Sequence, residues 1–423
     1  MDLLGRIRDD MAFEGNIWKS YLFRFVMDFQ LWLPIWVVYL QVQRGLSLTQ
    51  ITLLDTPFLL LIVLAEVPTG AIADRFGRRV SLMLGSGLFA VAIFIFGIAD
   101  NYVVILVSYT AWGLGMTFQS GADTAILYDS LKQIGREDDF QKVNSRMWAL
   151  KSFAALLAIL IGAPIAQATN FTFPIVLSAG IAVIGVPVAF LMHEPRHAHE
   201  ESHEQYLATL VNGIREAWDQ PTLRYIILYS GVLLAATFTP QVFQQPFLQH
   251  HGVSIANLGL WQAPVRVCGI LASLFAYRFV SRVGLRGAFF AMPAMLVIAN
   301  FALAGIDHSW IAVSFLGMGV VAGMQSPALA TYINKRIPSE RRATILSVQS
   351  VVGNFILAAV NPLAGIVADQ FGLRAVFLLI AVLTLLVATP ILWLWSRAEA
   401  QEVALMQDEI AWELERARKP VAV

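Results

Sequence analysis

The residues with the clearest chemical potential are charges lodged in apolar runs. Arg24 and Asp28 lie four residues apart in Tyr21-Leu-Phe-Arg24-Phe-Val-Met-Asp28-Phe-Gln30, and Arg266 and Lys151 stand in similarly apolar surroundings. An ionisable side chain at mid-bilayer costs about 2.5–3.5 kcal/mol on insertion scales, so one that is kept there reads as functional. The i, i+4 spacing puts Arg24 and Asp28 on one helical face. A carboxyl balanced between desolvation and a neighbouring cation can load and release a proton. Asp28 is therefore the first candidate for coupling or substrate contact, with Arg24 beside it. Arg266 is too deep to reach the surface by snorkelling. It requires an anion, either a carboxylate such as Asp55 or Asp28 or a substrate. Asp55 and Gln262 each stand two residues before a proline, Pro57 and Pro264, and read as a cavity rim or outer gate.

The elements that must carry these residues are membrane helices. Of 423 residues, 57% are hydrophobic and only 14% charged, against roughly 45–50% and 25% in soluble domains. A soluble enzyme, a nucleic-acid binder and a disordered scaffold are excluded on that ground. The single cysteine, Cys268, excludes a disulfide framework and Cys-based metal sites. Twelve stretches approach the roughly 20 apolar residues of a spanning helix. Spans 1–6 fall near 20–41, 50–72, 79–98, 102–127, 147–168 and 173–192. Spans 7–12 fall near 223–247, 258–280, 286–305, 309–331, 343–366 and 374–396. Span 1 is too long for a signal peptide. Of 29 Lys and Arg, three lie in spans and only Arg44 and Arg374 lie in outer loops if the N-terminus is cytoplasmic. The other 24 fall on the inner side, so both termini are expected in the cytoplasm.

The two halves repeat at an offset of 207 residues. RGLSLTQITLLDTP (44–57) lies over HGVSIANLGLWQAP (251–264), and RFGRR (75–79) over RVGLR (282–286), without a gap. Gly45, Ser47 and Gly77 thereby match Gly252, Ser254 and Gly284. The expected fold is an all-α integral membrane protein, twelve transmembrane helices in two pseudo-symmetric six-helix bundles. The domains are an N-terminal bundle (1–192), a cytoplasmic central loop with an amphipathic helix (193–222), a C-terminal bundle (223–397) and a cytoplasmic tail (398–423). Symmetric halves with a midplane site between them are how many secondary transporters are built.

The loop after span 2 reads Gly70-Ala-Ile-Ala-Asp74-Arg75-Phe-Gly77-Arg78-Arg79. It resembles the loop 2–3 signature of the major facilitator superfamily, Gly-x-x-x-Asp-(Arg/Lys)-x-Gly-(Arg/Lys)-(Arg/Lys). With the twelve spans and a degenerate second copy at 278–286, the resemblance covers nearly the whole chain. It implies an inner gate in which Asp74 faces the start of span 11, after Pro338-Ser339-Glu340-Arg341-Arg342. Gly70 would allow close approach of another helix and Gly77 the tight turn into span 3. Arg75, Arg78 or Arg79 would pair with Asp129 and lock the inner ends of the halves. Glu66 and Asp123 are assigned to the same network. Two positions depart from the proton-coupled members: Tyr109 stands where many carry an arginine before Gly113-Leu-Gly115, and the antiporter Gly-Pro signature is reduced to Gly162-Ala163-Pro164.

The resemblance places span 1 along a central cavity, to which Tyr109, Trp112, Gln119, Gln241 and Asn354 would add polar and aromatic surface. Four histidines, at 193, 197, 199 and 203, read as a solvated segment rather than a metal site. The expected function is a proton-coupled, drug/proton antiporter-like transporter of the bacterial inner membrane. It would export small amphipathic compounds as a monomer, without cofactor, metal, nucleic-acid partner or enzymatic activity. Import of an organic anion by proton symport, with Arg266 as its counter-charge, is the alternative. A third is a non-transporting ligand sensor of the same fold.

Overall fold

The computed structural model describes residues 3–195, 213–215, 217–337 and 339–418. Among them are helices and turns but no strand. Ten helices are long and apolar enough to cross a membrane. The longest, Ile255–Gly305, holds a non-helical residue, Gly284, at φ 75°. That residue separates the stretches read as spans 8 and 9. Counting those two apart and adding the interrupted span 1 gives the twelve stretches; length and apolarity alone give ten. Most of the expected amphipathic helix (203–212 and 216), with His197, His199 and His203, lies outside the described residues. The tail is helical, continuous with span 12 over Thr389–Arg418.

Span 1 is not the continuous helix that its apolarity predicts. A helix Leu3–Asp28 stops, residues 31–35 form turns, and a short helix Trp36–Val38 resumes the path. Pro34 has no N–H and disfavours helical backbone at the residue before it, so the run breaks here. Span 7 breaks too: Pro221–Val242 and Gln244–His250 meet at Phe243, between Pro240 and Pro246. Phe243 lies over Trp36 in the 207-residue alignment, so the span 7 interruption falls just past the place equivalent to residues 31–35.

The duplication extends to the backbone. Gly45 and Gly252 have φ of 65° and 76°, and Gly77 and Gly284 of 99° and 75°. Ser47 and Ser254 both stand in extended backbone at the entry to a helical turn.

The end carrying the 44–50 and 250–257 loops, outer by the cation distribution, is closed. A Cβ added to Gly259 would fall 2.1 Å from the Ile159 carbonyl oxygen, and one added to Gly365 would fall 2.1 Å from Thr52 Oγ1. Only hydrogen at those α-carbons lets spans 8 and 5, and spans 11 and 2, touch across the halves. The Thr56 hydroxyl donates to the Ala358 carbonyl at 2.8 Å, and Ala256 N–H to Gln167 Oε1 at 2.6 Å. Asp369, past the outer end of the apolar stretch of span 11, accepts from Leu48 N–H (3.0 Å), Thr49 N–H (2.8 Å) and the Thr49 hydroxyl (2.6 Å). A carboxylate from one half thus caps the first helical turn of span 2 in the other.

At the opposite end, Glu194 accepts from the N–H groups of Arg78 and Arg79, both at 2.8 Å. It caps span 3 where Gly77 turns the chain. A Cβ on Gly77 would lie 2.9 Å from the Glu194 carboxyl carbon, whereas one on Gly284 would meet nothing within 4 Å. Both positions have a backbone that costs other residues about 1–3 kcal/mol. Gly77→Ala should therefore lower the unfolding midpoint in detergent more than Gly284→Ala does. Equal losses would show that the Glu194 cap adds nothing at this turn.

Candidate functional site

A cavity of about 240 Å³ lies between the halves. Its wall includes Leu33 and Trp36 from the break in span 1, Asp55 from span 2 and Phe238 and Gln241 from span 7. Gln262 and Arg266 enter from span 8, and Asn361 from span 11.

The broken backbone is served by side chains from three other spans. Leu31 N–H donates to Ser178 Oγ at 2.9 Å, and Val37 N–H to Gln245 Oε1 at 3.1 Å. The Leu33 carbonyl accepts from Gln245 Nε2, and the Pro34 carbonyl from Gln262 Nε2, both at 2.9 Å. Gln262 thus holds span 1 from the other half while lining the cavity. Gln245 does the same, and no motif in the sequence pointed to it; its place just past Pro240, at the level of the break, is the signal that was available.

Asp55 is buried and shared between the halves. One oxygen accepts from the Tyr109 hydroxyl at 2.9 Å and the other from Asn361 Nδ2 at 2.8 Å. Asn361 Oδ1 in turn accepts from the Thr239 hydroxyl at 2.6 Å. Tyr109 is thereby a neutral donor to a carboxylate. Its ring stacks on Trp36 at 6.0 Å.

The N-terminal half contains a separate cluster of four charges. Arg24 approaches Asp123 at 2.7 Å and Asp28 at 3.8 Å, and Lys151 approaches Asp28 at 3.7 Å. Two cations and two anions from spans 1, 4 and 5 balance within one bundle. Asp123, expected in the inner-gate network, is paired with Arg24 in this cluster. Lys151, counted in a span but given no role, is its fourth member.

Arg266 does not have the carboxylate partner expected of it. Asp55 is bonded to Tyr109 and Asn361, and Asp28 to Lys151 and Arg24. Among the described residues, no carboxylate comes within 4.0 Å of the Arg266 guanidinium and no hydrogen bond reaches it.

The remaining candidates divide. Gln241 lines the cavity but donates to its own helix at Thr237 O, 2.9 Å. Trp112 is buried against Trp32, with ring centres 5.0 Å apart, and Gln119 bonds back to Gly115 O at 3.2 Å. Neither lines the cavity, nor does the half-buried Asn354. Arg78 pairs with Asp129. Both belong to the N-terminal half, so this pair braces spans 3 and 4 rather than locking one half to the other. Arg79 lies over the Phe190 ring at 4.6 Å and Arg75 over Phe76 at 5.4 Å. Asp74 and Glu66 are exposed at the inner side of span 2. The start of span 11, which the resemblance puts opposite Asp74, lies in the helix Ser339–Phe371; Pro338 before it lies outside the described residues. Gly70 has no neighbour within 4 Å of a Cβ placed on it, so the close approach expected there is absent.

Two helical halves, related by repetition and closed over a largely apolar cavity with a few polar groups, define a membrane transporter fold. The Major Facilitator Superfamily model matches residues 21–360 and 245–421, and the chain belongs to that superfamily. It is 23% identical over 369 residues to an uncharacterized MFS-type transporter, YxaM, of Bacillus subtilis, covering 84% of this chain and 89% of that one. It is 23% identical to a putative metabolite transport protein of Haemophilus influenzae, covering 74% and 79%. In fold it resembles the nucleoside transporter NupG, with a TM-score of 0.77 at 13% identity over 90% of this chain and 99% of that one.

Two outcomes follow from this geometry. Neutralising one member of a balanced charge cluster strands its partner, which costs more than removing the pair. Asp28→Asn should lower the unfolding midpoint further than the double change Asp28→Asn/Lys151→Met; a double mutant that melts lower still would refute the pairing. At the outer end, partial burial alone would push the Asp369 carboxyl up. Donors from Thr49, Leu48 and Ser47 outweigh it and hold the group below the ordinary carboxylate range. Its support for closure is therefore full above about pH 4 and is lost as the pH falls through the lowered value. Asp369→Asn should raise the labelling rate of Gln241→Cys, in a Cys268→Ala background, by an impermeant outer thiol reagent. The expected rise is roughly two- to five-fold for such a part-exposed network. Labelling that ignores the Asp369 change would remove the carboxylate from the closure.

Proposed function

We propose that the chain is a proton-coupled secondary transporter carrying a small organic solute by alternating access, with Asp55 taking up and giving up the proton. The observation that carries this reading is the position of Asp55. It is shared by Tyr109 of its own half and Asn361 of the other. Among the described residues, no cation lies within 4.0 Å of it. An ionised Asp55 accepts from both donors and draws spans 2 and 11 together. A protonated Asp55 keeps one oxygen for its own proton and offers less to Asn361, so the outer contact weakens. Proton binding and outer opening are thereby linked through one side chain.

Asp28, the first candidate from the sequence, sits between two cations in a neutral cluster confined to one half, which suits bracing better than cycling. The cavity is smaller than the roughly 300–1,000 Å³ of most ligand sites, which favours a small solute over bulky compounds. The description of the Haemophilus relative as a putative metabolite transporter agrees with that choice. Export and uptake are the same cycle run in opposite senses. The reading includes a cytoplasmic membrane, both termini inside, and a monomer, since one chain contains the whole cavity.

The test is proton movement in proteoliposomes with pyranine in the lumen, challenged with benzoate, uridine and benzylamine in turn. Wild type should move protons with at least one solute. Asp55→Asn should abolish that signal while leaving solute counterflow within a few-fold. Retained coupling in Asp55→Asn, with coupling lost in Asp28→Asn, would transfer the proton to Asp28.

A further inference from the structure

Two hydrogen-bond donors lining the cavity have no acceptor among the described residues, Arg266 exposed to it and Gln244 buried in its wall. The Arg266 guanidinium, in span 8, has neither carboxylate nor hydrogen-bond acceptor among the described residues. The second is Gln244 Nε2, from the span 7 break. Gln244 is 4% exposed and lines the same cavity, yet its amide nitrogen has no partner among the described residues. Two of the cavity's acceptor groups already serve the protein. Both Asp55 oxygens are taken by Tyr109 and Asn361, and Gln245 Oε1 accepts from the span 1 backbone. Arg266 presents an uncompensated positive charge to whatever enters the cavity, and a buried amide donor left without an acceptor is destabilising. An acceptor group carrying negative charge complements both donors.

We infer that the cavity binds a small organic monocarboxylate, its carboxylate on Arg266 and Gln244 and its apolar body against Trp36 and Phe238. A planar guanidinium matches a carboxylate by two parallel hydrogen bonds, and the Gln244 amide supplies a third. One arginine and one amide suit a single negative charge; a phosphate monoester would leave its second charge without a partner. This inference rests on the transporter reading for the path into the cavity, but binding is measured without it.

The experiment is thermal unfolding of the full chain in detergent, followed by tryptophan fluorescence, with benzoate and hexanoate as probes. Benzamide, hexanamide, benzylamine and phenyl phosphate serve as the neutral, cationic and dianionic comparisons. The acids should raise the unfolding midpoint and the amides should not. Arg266→Gln, checked for folding by its unliganded midpoint and gel filtration, should raise the apparent Kd for the acids at least ten-fold. Arg266→Lys, which keeps the charge and loses the fork, should recover part of that loss. Stabilisation by the amides or benzylamine equal to that by the acids would overturn the inference. So would an acid response unchanged in Arg266→Gln, no response to either acid, or a stronger response to phenyl phosphate. Counterflow of labelled benzoate above protein-free liposomes separates this inference from the reading beneath it. Arg266-dependent binding without counterflow keeps the anion site and overturns transport. Counterflow of benzylamine indifferent to Arg266 keeps transport and overturns the anion site.

Discussion

Inside a bilayer every backbone N–H and C=O must find a partner in the protein, because no water is there to serve it. The break in span 1 opens that obligation at mid-membrane, and the rest of the architecture answers it. Ser178 takes the Leu31 N–H within the N-terminal half. Gln245 and Gln262 cross from the other half to the backbone between Leu33 and Val37. The same two glutamines that satisfy the break therefore hold the halves together and form the cavity wall. A continuous helix would need neither, and the halves would meet there through apolar packing alone.

The outer closure relies on similarly few groups. Spans 2 and 11 touch because Gly365 has no side chain to keep Thr52 away. Asp369 then caps span 2 and Asn361 reaches Asp55. Small residues bring the backbones close, and polar groups supply direction. The hydrogen bonds across this seam are few, and close backbone packing supplies the rest of the contact. By contrast, Arg78 with Asp129 and the Arg24, Asp28, Asp123 and Lys151 cluster tie spans within one half.

The duplication did not distribute charge evenly. The backbone turns at Gly45 and Gly252, and at Gly77 and Gly284, are shared. The N-terminal half carries a balanced cluster, and its Asp55 aligns with the neutral Gln262. Among the described residues, Arg266 in the C-terminal half has no carboxylate in its own bundle to answer it. A symmetric scaffold thus encloses an asymmetric site, with an acidic group on one wall and a basic group on the other.

Much of this was legible in the chain alone. Apolar runs of bilayer length, cations gathered on one side, a repeat at 207 residues and the Gly70–Arg79 motif led to the superfamily and to the turns at Gly77 and Gly284. These are local or periodic properties, and the bilayer reads them one segment at a time. Asp55, Gln262, Arg266 and Tyr109 could be nominated because an ionisable or polar group in an apolar run stands out. Their partners could not. Asp28 meets Lys151 across 123 positions of sequence, Asp55 meets Asn361 across 306 and Asp369 meets Thr49 across 320. Only the packing of whole helices brings such residues within hydrogen-bond range, and packing depends on every side chain between them. The sequence by itself determined which segments enter the membrane and which charges they bring. The tertiary structure decided which charges neutralise one another and which, like Arg266, face the cavity without a partner among the described residues.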